Sequence, residues 1–300
     1  MSYLRRFSAS RRARFLLAVV AIALFALTPA RNAYAQSLGW EGPTGVFVTP
    51  LAYTAPSPEK GIGLPVVAYH YVNGGNVLGD FHQISITAGV FKRIEFGYTR
   101  TIHNAGSSAA FSPLWTDGFN TFHAKVNVIP ENYAKQKWLP AISGGFILRS
   151  QVRNVGGVLR NQDTTNADGY VVATKTITQI KPVPVVLSAG VRATNASLFG
   201  LGGNAPDFVA RGFGAVAFVL KGPAKSTVIL GSEVSQQPRR IEGLPFADIP
   251  TTLTYAARIV PLAKKKLNVD FGVLQAAGVI GPGVNLNARA RFAFGISYGL

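Results

Sequence analysis

The last thirteen residues of the chain, from Ala288 to its end at Leu300, alternate between two kinds of side chain. The apolar set is Ala290, Phe292, Phe294, Ile296, Tyr298 and Leu300. The other set contains Arg289, Arg291 and small residues. Because successive side chains of a β-strand point to opposite faces, this alternation predicts a strand with one apolar face and one small or charged face.

Twelve segments of about strand length can be marked along the chain, with Gly, Pro, Asn or Asp at their boundaries. They lie near residues 62–72, 80–90, 93–102, 117–129, 139–150, 168–178, 183–194, 207–220, 226–236, 251–262, 266–276 and 287–299. The alternation is less regular in the first, sixth and eighth segments. Most segments have roughly the 9–11 residues with which a tilted strand crosses a lipid bilayer.

The connections between the segments differ in length from one to the next. Those after even-numbered segments are mostly short, such as 91–92 and 263–265, whereas those after odd-numbered segments are generally longer, such as 103–116, 151–167 and 237–250. Outer-membrane barrels have short periplasmic turns, longer outward loops and an even number of strands. The sequence therefore predicts an all-β fold, a transmembrane antiparallel up-and-down β-barrel of about twelve strands over residues 61–300.

The composition favours a surface that meets lipid. Charged residues make up 14% of the chain, against about 25% in ordinary soluble domains. The alternation of apolar and polar side chains does not by itself say which face of a strand points into the barrel. The faces opposite the apolar ones carry Gly, Ser, Thr and isolated charges, which suits a crowded lumen. A secreted β-sandwich or a lipocalin-like barrel is the alternative that this pattern leaves open.

The N-terminus predicts export. Several arginines precede an apolar run over 15–27, and Ala33-Tyr34-Ala35 follows as a cleavage site, so residues 1–35 are interpreted as a secretory signal peptide cleaved after Ala35. The apolar run is shorter than the roughly 18 residues of a membrane-spanning helix. Residues 36–60 are rich in Pro and Gly and form a lead or plug segment, which either lies along the lumen or only guides the chain into the barrel.

Ten charged residues are the candidates for lining the lumen, and the last four of them are expected to lie near one another. They are Glu95, Lys125, Arg149, Arg192, Arg211, Glu233, Arg258, Asp270, Arg289 and Arg291. One interpretation is a cationic constriction that favours the passage of anions. The other is a salt-bridged interior that makes the barrel rigid, because an unpaired buried ion is costly.

No residue pattern predicts catalysis. The four histidines lack the spacing of a metal site, and neither metal nor cofactor is expected. The outer-membrane phospholipase pattern pairs a His with a Ser two places later, which His82 does not match. Lysines in the short turns suggest nucleic-acid binding, but they are spread over separate turns of an exported chain, so no nucleic-acid partner is expected. Trp115, Tyr133 and Trp138 fit an interfacial aromatic girdle or ordinary packing.

The chain resembles bacterial outer-membrane β-barrels of an uncharacterised family, whose final strand is recognised by the barrel-assembly machinery; residues 288–300 carry this likeness, with Leu300 in place of the usual Phe or Trp. Residues 45–50, Gly61, 79–84 and 93–97 are similar to the opening of barrels associated with exopolysaccharide export.

The resemblance implies an outer-membrane location and a non-catalytic role as a narrow channel or export-associated scaffold. The expected partners are outer-membrane lipid and lipopolysaccharide, with a small anionic solute or a polysaccharide as passenger. A lipid- or lipopolysaccharide-modifying enzyme and a structural or adhesive barrel are the alternatives.

Overall fold

The computed structural model describes residues 37–109, 111–179, 183–243, 248–249, 251–261, 266–276, 279–281, 284–285 and 290–300. Twelve antiparallel strands form a closed barrel. These strands are β1 (Val66–Asn73), β2 (Asp80–Val90), β3 (Ile94–Asn104), β4 (Phe119–Ile129), β5 (Ala141–Val152), β6 (Thr164–Ile177), β7 (Val185–Ser197), β8 (Gly203–Lys221), β9 (Thr227–Ser235), β10 (Thr252–Val260), β11 (Leu267–Ala276) and β14 (Arg291–Gly299).

The barrel closes between the first and last strands of the chain. β14 pairs on one side with β11 and on the other with β1, where Tyr69 lies opposite Ile296. Every other barrel strand pairs with its neighbours in sequence, which makes the topology up-and-down. A closed barrel has no unpaired strand edge. The predicted all-β, twelve-stranded antiparallel barrel is therefore confirmed.

The remaining elements are short. Between β11 and β14 lies a small hairpin of β12 (Val279–Gly281) and β13 (Val284–Asn285). The helices are α1 (Gly75–Leu78) and α2 (Val155–Arg160), with single 3-10 turns at Tyr133–Lys135 and Pro223–Lys225. Within the described residues, no helix combines the length and the apolar character that crossing a membrane would need.

Each of the twelve predicted segments corresponds to one barrel strand, but several boundaries differ. β8 begins at Gly203 instead of residue 207, because its pairing with β7 continues past Pro206, with Ala196 opposite Asn204. A bulge between Thr194 and Ala196 precedes this extension. The connection between these two strands is consequently only 198–202, although the sequence pattern predicts a longer loop there.

The two faces of the sheet are sharply different. On β4, Phe122 and Val126 are about half exposed on the outer face, whereas His123 and Lys125 are buried on the inner face. β14 follows the same rule, since Phe292 is exposed and Ser297 is fully buried. Water-soluble proteins bury apolar side chains and expose charged ones. This barrel does the opposite, with an apolar exterior and a polar, charged interior.

The connections divide the barrel into a turn end, at 91–93, and an opposite loop end. The longest described connections, which include 105–118 and 236–251, lie at the loop end, although 130–140 at the turn end is also long. A cluster of buried residues, most of them aromatic and called here the aromatic cluster, lies toward the loop end. It consists of Trp40, Phe47, Val48, Phe81, Leu114, Trp115, Phe119, Val152, Phe199 and Ala293.

Trp115 does not belong to an interfacial girdle. Its ring lies edge-on to Phe81 at 5.0 Å between centroids, and its indole Nε1 donates to the carbonyl oxygen of Leu201 at 3.2 Å. The loop that carries it folds over the barrel mouth and so buries the ring. Tyr133 and Trp138, in the 130–140 connection at the turn end, are both largely exposed.

Candidate functional site

Residues 37–60, which we call the luminal segment, run through the interior of the barrel before the chain enters β1. Residues 37–55 are buried or half-buried, and residues 58–60 are exposed at the turn end. The polar contacts of the segment reach β3 through Glu95, β5 through Arg149, β9 through Glu233 and β11 through Asp270. A segment that contacts strands on all sides of a closed sheet lies inside it. The segment and the side chains that hold it form the candidate site.

Glu95, on β3, holds the segment at two points. Its carboxylate accepts hydrogen bonds from the backbone N–H of Thr44 at 2.9 Å and from that of Ala55 at 2.7 Å. Lys125, its cross-strand partner on β4, lies 3.0 Å away and also donates to the carbonyl oxygens of Thr44 and Leu51. Both charged side chains are fully buried. The pair therefore bonds to donors and acceptors of the segment backbone while balancing its own charge.

Glu233, on β9, holds the opposite side of the segment, and no cation in the described part of the chain forms an ion pair with it. One or both of its carboxylate oxygens accept from the backbone N–H groups of Phe47, Val48 and Thr49 at 2.9–3.2 Å, and from the Thr49 hydroxyl at 2.6 Å. Glu233 is 1% exposed. Successive N–H groups that converge on one carboxylate form an anion-binding concavity of the backbone. The charge of Glu233 is thus stabilised by the segment itself.

Arg149, on β5, connects the segment to β6 and β7. Its guanidinium donates to both carboxylate oxygens of Glu41 in the segment, with Nη2 to Oε2 at 2.7 Å, and to Asp168 on β6 at 2.8 Å. Asp168 also lies 3.7 Å from Arg192 on β7. Arg192 in turn lies over the rings of Phe199 and Phe213, at 5.2 and 5.7 Å. Two carboxylates and two guanidinium groups therefore share one buried cluster.

Arg258 and Asp270 form a fourth contact, between β10 and β11. They are cross-strand partners 2.7 Å apart. Arg258 also donates to the carbonyl oxygens of Gly45 and Val46, while Asp270 accepts from the hydroxyl of Ser37 at 2.8 Å. This pair holds the middle and the beginning of the segment at once.

The segment leaves the lumen at the turn end. The Tyr53 hydroxyl donates to Glu131 at 2.9 Å and lies 2.8 Å from the Thr176 hydroxyl, and burial raises the pKa of the Tyr53 phenol. Farther out, a hydrogen bond from Lys92 lowers the pKa of the Glu59 carboxyl. A cleft of about 340 Å³ lies between the segment and the neighbouring turns.

Two glycines allow the segment to pass close to the wall. Gly42, in the segment, has a φ of +101°, and a Cβ there would lie 2.6 Å from Thr99 Oγ1. Gly89, on β2, would place a Cβ 2.0 Å from the carbonyl oxygen of Ala55. Both contacts are shorter than van der Waals packing allows. The small residues of the inner face therefore make room for the segment backbone.

Seven of the ten lumen candidates belong to the four contacts described above. Arg211, on β8, is the cross-strand partner of Arg192 and donates to the carbonyl oxygens of Gln237 and Ala210. Arg291, on β14, lies opposite Leu274, toward the loop end, so it does not join Arg258 and Asp270 as the sequence suggests. Arg289 lies outside the described residues.

Sequence reasoning missed Glu41 and Asp168. Asp168 lies at the first residue of a predicted segment with irregular alternation, and Glu41 belongs to a stretch without strand periodicity. One signal was available, because the predicted inward cations outnumber the predicted inward carboxylates. That excess implies further buried acids, since buried charges are generally paired.

Three of the histidines, His70, His103 and His123, are buried on the inner face. His70 lies 3.1 Å from the carbonyl oxygen of Leu38 in the segment, and the His103 ring packs against Phe81 at the loop end. His82 lies against Tyr69 on the neighbouring strand. Across the described part of the chain, no three His, Cys, Asp or Glu residues come together as a metal site would require.

Comparison with protein-family models gives a match over most of the chain. A family model described as "Protein of unknown function (DUF3034)" matches residues 40–268, which include most of the luminal segment, the ten strands from β1 to β10 and the first two residues of β11. The comparison with curated proteins finds no match.

Proposed function

The chain belongs to the DUF3034 family of proteins of unknown function, and from its structure we propose that it is a non-catalytic outer-membrane β-barrel whose lumen is closed by its own luminal segment. In this proposal solute passes only when the segment moves. The observation that carries it is the set of buried side chains, above all Glu95, Arg149 and Glu233, that hold the segment across the lumen.

The outer face supports the membrane location. Large apolar side chains are exposed on strands all around the barrel, for example Phe96, Phe146, Phe218, Phe271 and Phe292. Monomeric soluble proteins rarely expose apolar patches of more than a few hundred Å². Lipid is the environment in which this face would be stable, and an outward apolar band is what transmembrane barrels present to it.

The interior supports a closed state. The segment backbone is bonded to the wall on several sides, and the aromatic cluster lies toward the loop end. Barrels of about 8 strands are filled by side chains, whereas barrels of 16–18 strands enclose aqueous channels. With twelve strands, this barrel has room for one chain segment, and that segment takes the place of a channel.

Planar-bilayer recording tests the proposal. We expect the mature protein to give almost no conductance steps. The double variant Glu41→Gln/Glu233→Gln, which weakens two of the contacts that hold the segment, should give frequent openings. Arg291→Gln, a change of a luminal arginine outside those contacts, is the matched control and should remain closed. Steady conductance of the unmodified protein would contradict a closed lumen.

The finer assignments extend the same proposal. We propose that residues 1–35 direct export and are removed after Ala35, and that β14 serves as the recognition strand for the barrel-assembly machinery. We also propose an association with exopolysaccharide export, on the basis of the resemblance of residues 45–50, Gly61, 79–84 and 93–97 to such barrels. Fractionation of the bacterial envelope, with and without residues 1–35, tests the location.

A further inference from the structure

We propose that Arg149 and Arg192 form an oxyanion-binding site on the barrel wall, which Glu41 of the luminal segment occupies in the closed state. The ligand class is a solute that carries a carboxylate or phosphate group. This inference rests on the proposed function, because such a solute reaches the site only through the lumen.

The charge balance of the wall singles out this cluster. At two further buried ion pairs of the described residues, Glu95 with Lys125 and Arg258 with Asp270, both partners belong to the barrel strands. At the cluster the strands supply two guanidinium groups, from Arg149 and Arg192, and one carboxylate, from Asp168. The second carboxylate, that of Glu41, comes from the segment. Among the described residues, the segment alone therefore supplies the carboxylate that balances the excess positive charge of the wall at this cluster.

The geometry around Arg149 is that of anion recognition. Its Nε and Nη2 atoms donate to the two oxygens of one carboxylate, and its side chain is fully buried. This two-pronged arrangement suits carboxylate and phosphate groups equally well. Asn166 lies 3.3 Å from the third nitrogen and fixes the guanidinium plane. Glu41 thus stands where the oxyanion of a ligand would bind.

The neighbouring side chains provide further donors. The Nε atom of Arg192 is buried without a hydrogen-bond acceptor among the described residues. Arg211, the cross-strand partner of Arg192, shares its face of the sheet, and among the described residues its hydrogen bonds go only to carbonyl oxygens. If the segment withdrew, Asp168 alone would balance the guanidinium groups of Arg149 and Arg192, which would leave one excess positive charge in the cluster. Because an uncompensated buried charge is costly, an incoming anion would favour the withdrawn state.

Equilibrium binding to the full mature protein in detergent tests the site, with inorganic phosphate and glucuronate as probes in separate titrations. Glu41→Ala should bind at least one of the two probes about tenfold or more tightly than the unmodified protein, because the competing carboxylate is gone and the probe gains charge-assisted hydrogen bonds to the guanidinium groups. Glu41→Ala/Arg149→Met, in which Asp168 and Arg192 still balance each other, should lose that gain. Glu41→Ala/Arg291→Gln, with a luminal arginine removed elsewhere, should keep it.

Equal affinity of the unmodified protein and Glu41→Ala for both probes would overturn the proposal, as would retained binding after the loss of Arg149. If Glu41→Ala does not form a folded barrel, the site is tested instead by the labelling rate of Val48→Cys in the otherwise unmodified protein. Phosphate should then speed labelling of this cysteine relative to chloride at equal ionic strength, and equal rates would overturn the site. Both measurements are made in detergent without recording a current. A negative result would therefore count against the anion site and leave the closed-channel proposal to be tested separately by conductance.

Discussion

Glu95 and Glu233 hold the same segment from two sides of the barrel, yet their charges are stabilised differently. Glu95 has a buried ammonium group, Lys125, 3.0 Å away. The described partners of Glu233 are backbone N–H groups and one hydroxyl, all from the segment. The first carboxylate remains neutralised if the segment leaves, whereas the second loses every described partner. The comparison separates contacts that maintain the wall from contacts that exist only in the closed state.

The largest effect is expected at Glu95. Glu95→Gln leaves Lys125 buried without a counter-charge, which costs about 3–5 kcal/mol in the free energy of unfolding. Urea unfolding of the variant and the unmodified protein in detergent measures this loss in the free energy of unfolding. The double variant Glu95→Gln/Lys125→Met removes both charges and should recover much of the loss. A double variant that is as unstable as the single one would show that the pair has no special role.

A smaller effect of a different kind is expected at Glu233. Glu233→Gln keeps an acceptor oxygen but loses the charge, so the closed state should weaken by about 1.5–3 kcal/mol. No wall cation is left unpaired, so the unfolding midpoint should change less than in Glu95→Gln. The measurement is the labelling rate of a cysteine introduced at Val48, in a chain that has no cysteine of its own. If the cysteine at position 48 were labelled faster in Glu95→Gln than in Glu233→Gln, Glu95 and not Glu233 would be the residue that holds the closed state.

Ser37 tests the beginning of the segment. Ser37→Ala removes the hydrogen bond to Asp270, whose pairing with Arg258 persists, and the hydroxyl contact with Ser297 at 3.1 Å. The closed state should weaken by about 0.5–1.5 kcal/mol, measured by the same labelling reaction. Thr49→Val, which removes one hydroxyl bond to Glu233, is the matched control of similar size. An effect as large as that of Glu233→Gln would mean that the first residues of the segment dominate its binding.

The smallest effect is expected outside the lumen. Lys92 and Glu59 form an ion pair at 2.9 Å with both side chains largely exposed. Exposed pairs contribute little to stability. Lys92 lowers the pKa of Glu59, so the pair stabilises the fold at pH values above the ordinary carboxyl pKa. This contribution is lost as the pH falls through the lowered pKa. Lys92→Ala should leave the unfolding midpoint unchanged at pH 7, and a clear decrease would assign this turn a structural role.

The strands and their faces were predictable because the signal is local. The alternation of Phe122 and Val126 with His123 and Lys125 is visible in the sequence, and the burial of these residues follows it. The beginning of β8 was harder to predict, because Pro206 interrupts the alternation although the pairing with β7 continues beyond it. The burial of Trp115 depends on how a loop folds over the barrel, which no periodicity encodes.

The candidate site was predictable only in part. Inward charges such as Arg149 and Glu233 follow from strand parity, but their partners depend on the path of a segment without regular structure. Glu41 reaches Arg149 across more than a hundred positions of sequence. Such contacts are fixed by the closed barrel as a whole and not by neighbouring residues.

The most direct test is a pair of single-cysteine variants, Val48→Cys and Phe122→Cys, spin-labelled in liposomes. The central claim is that Phe122 faces lipid while the luminal segment fills the interior. The label at 122 should be accessible to oxygen dissolved in the bilayer and shielded from a water-soluble nickel chelate, and the label at 48 should be shielded from both. Strong accessibility of the label at 48 to the nickel chelate would contradict the closed lumen, and the same result at 122 would contradict the membrane-facing exterior.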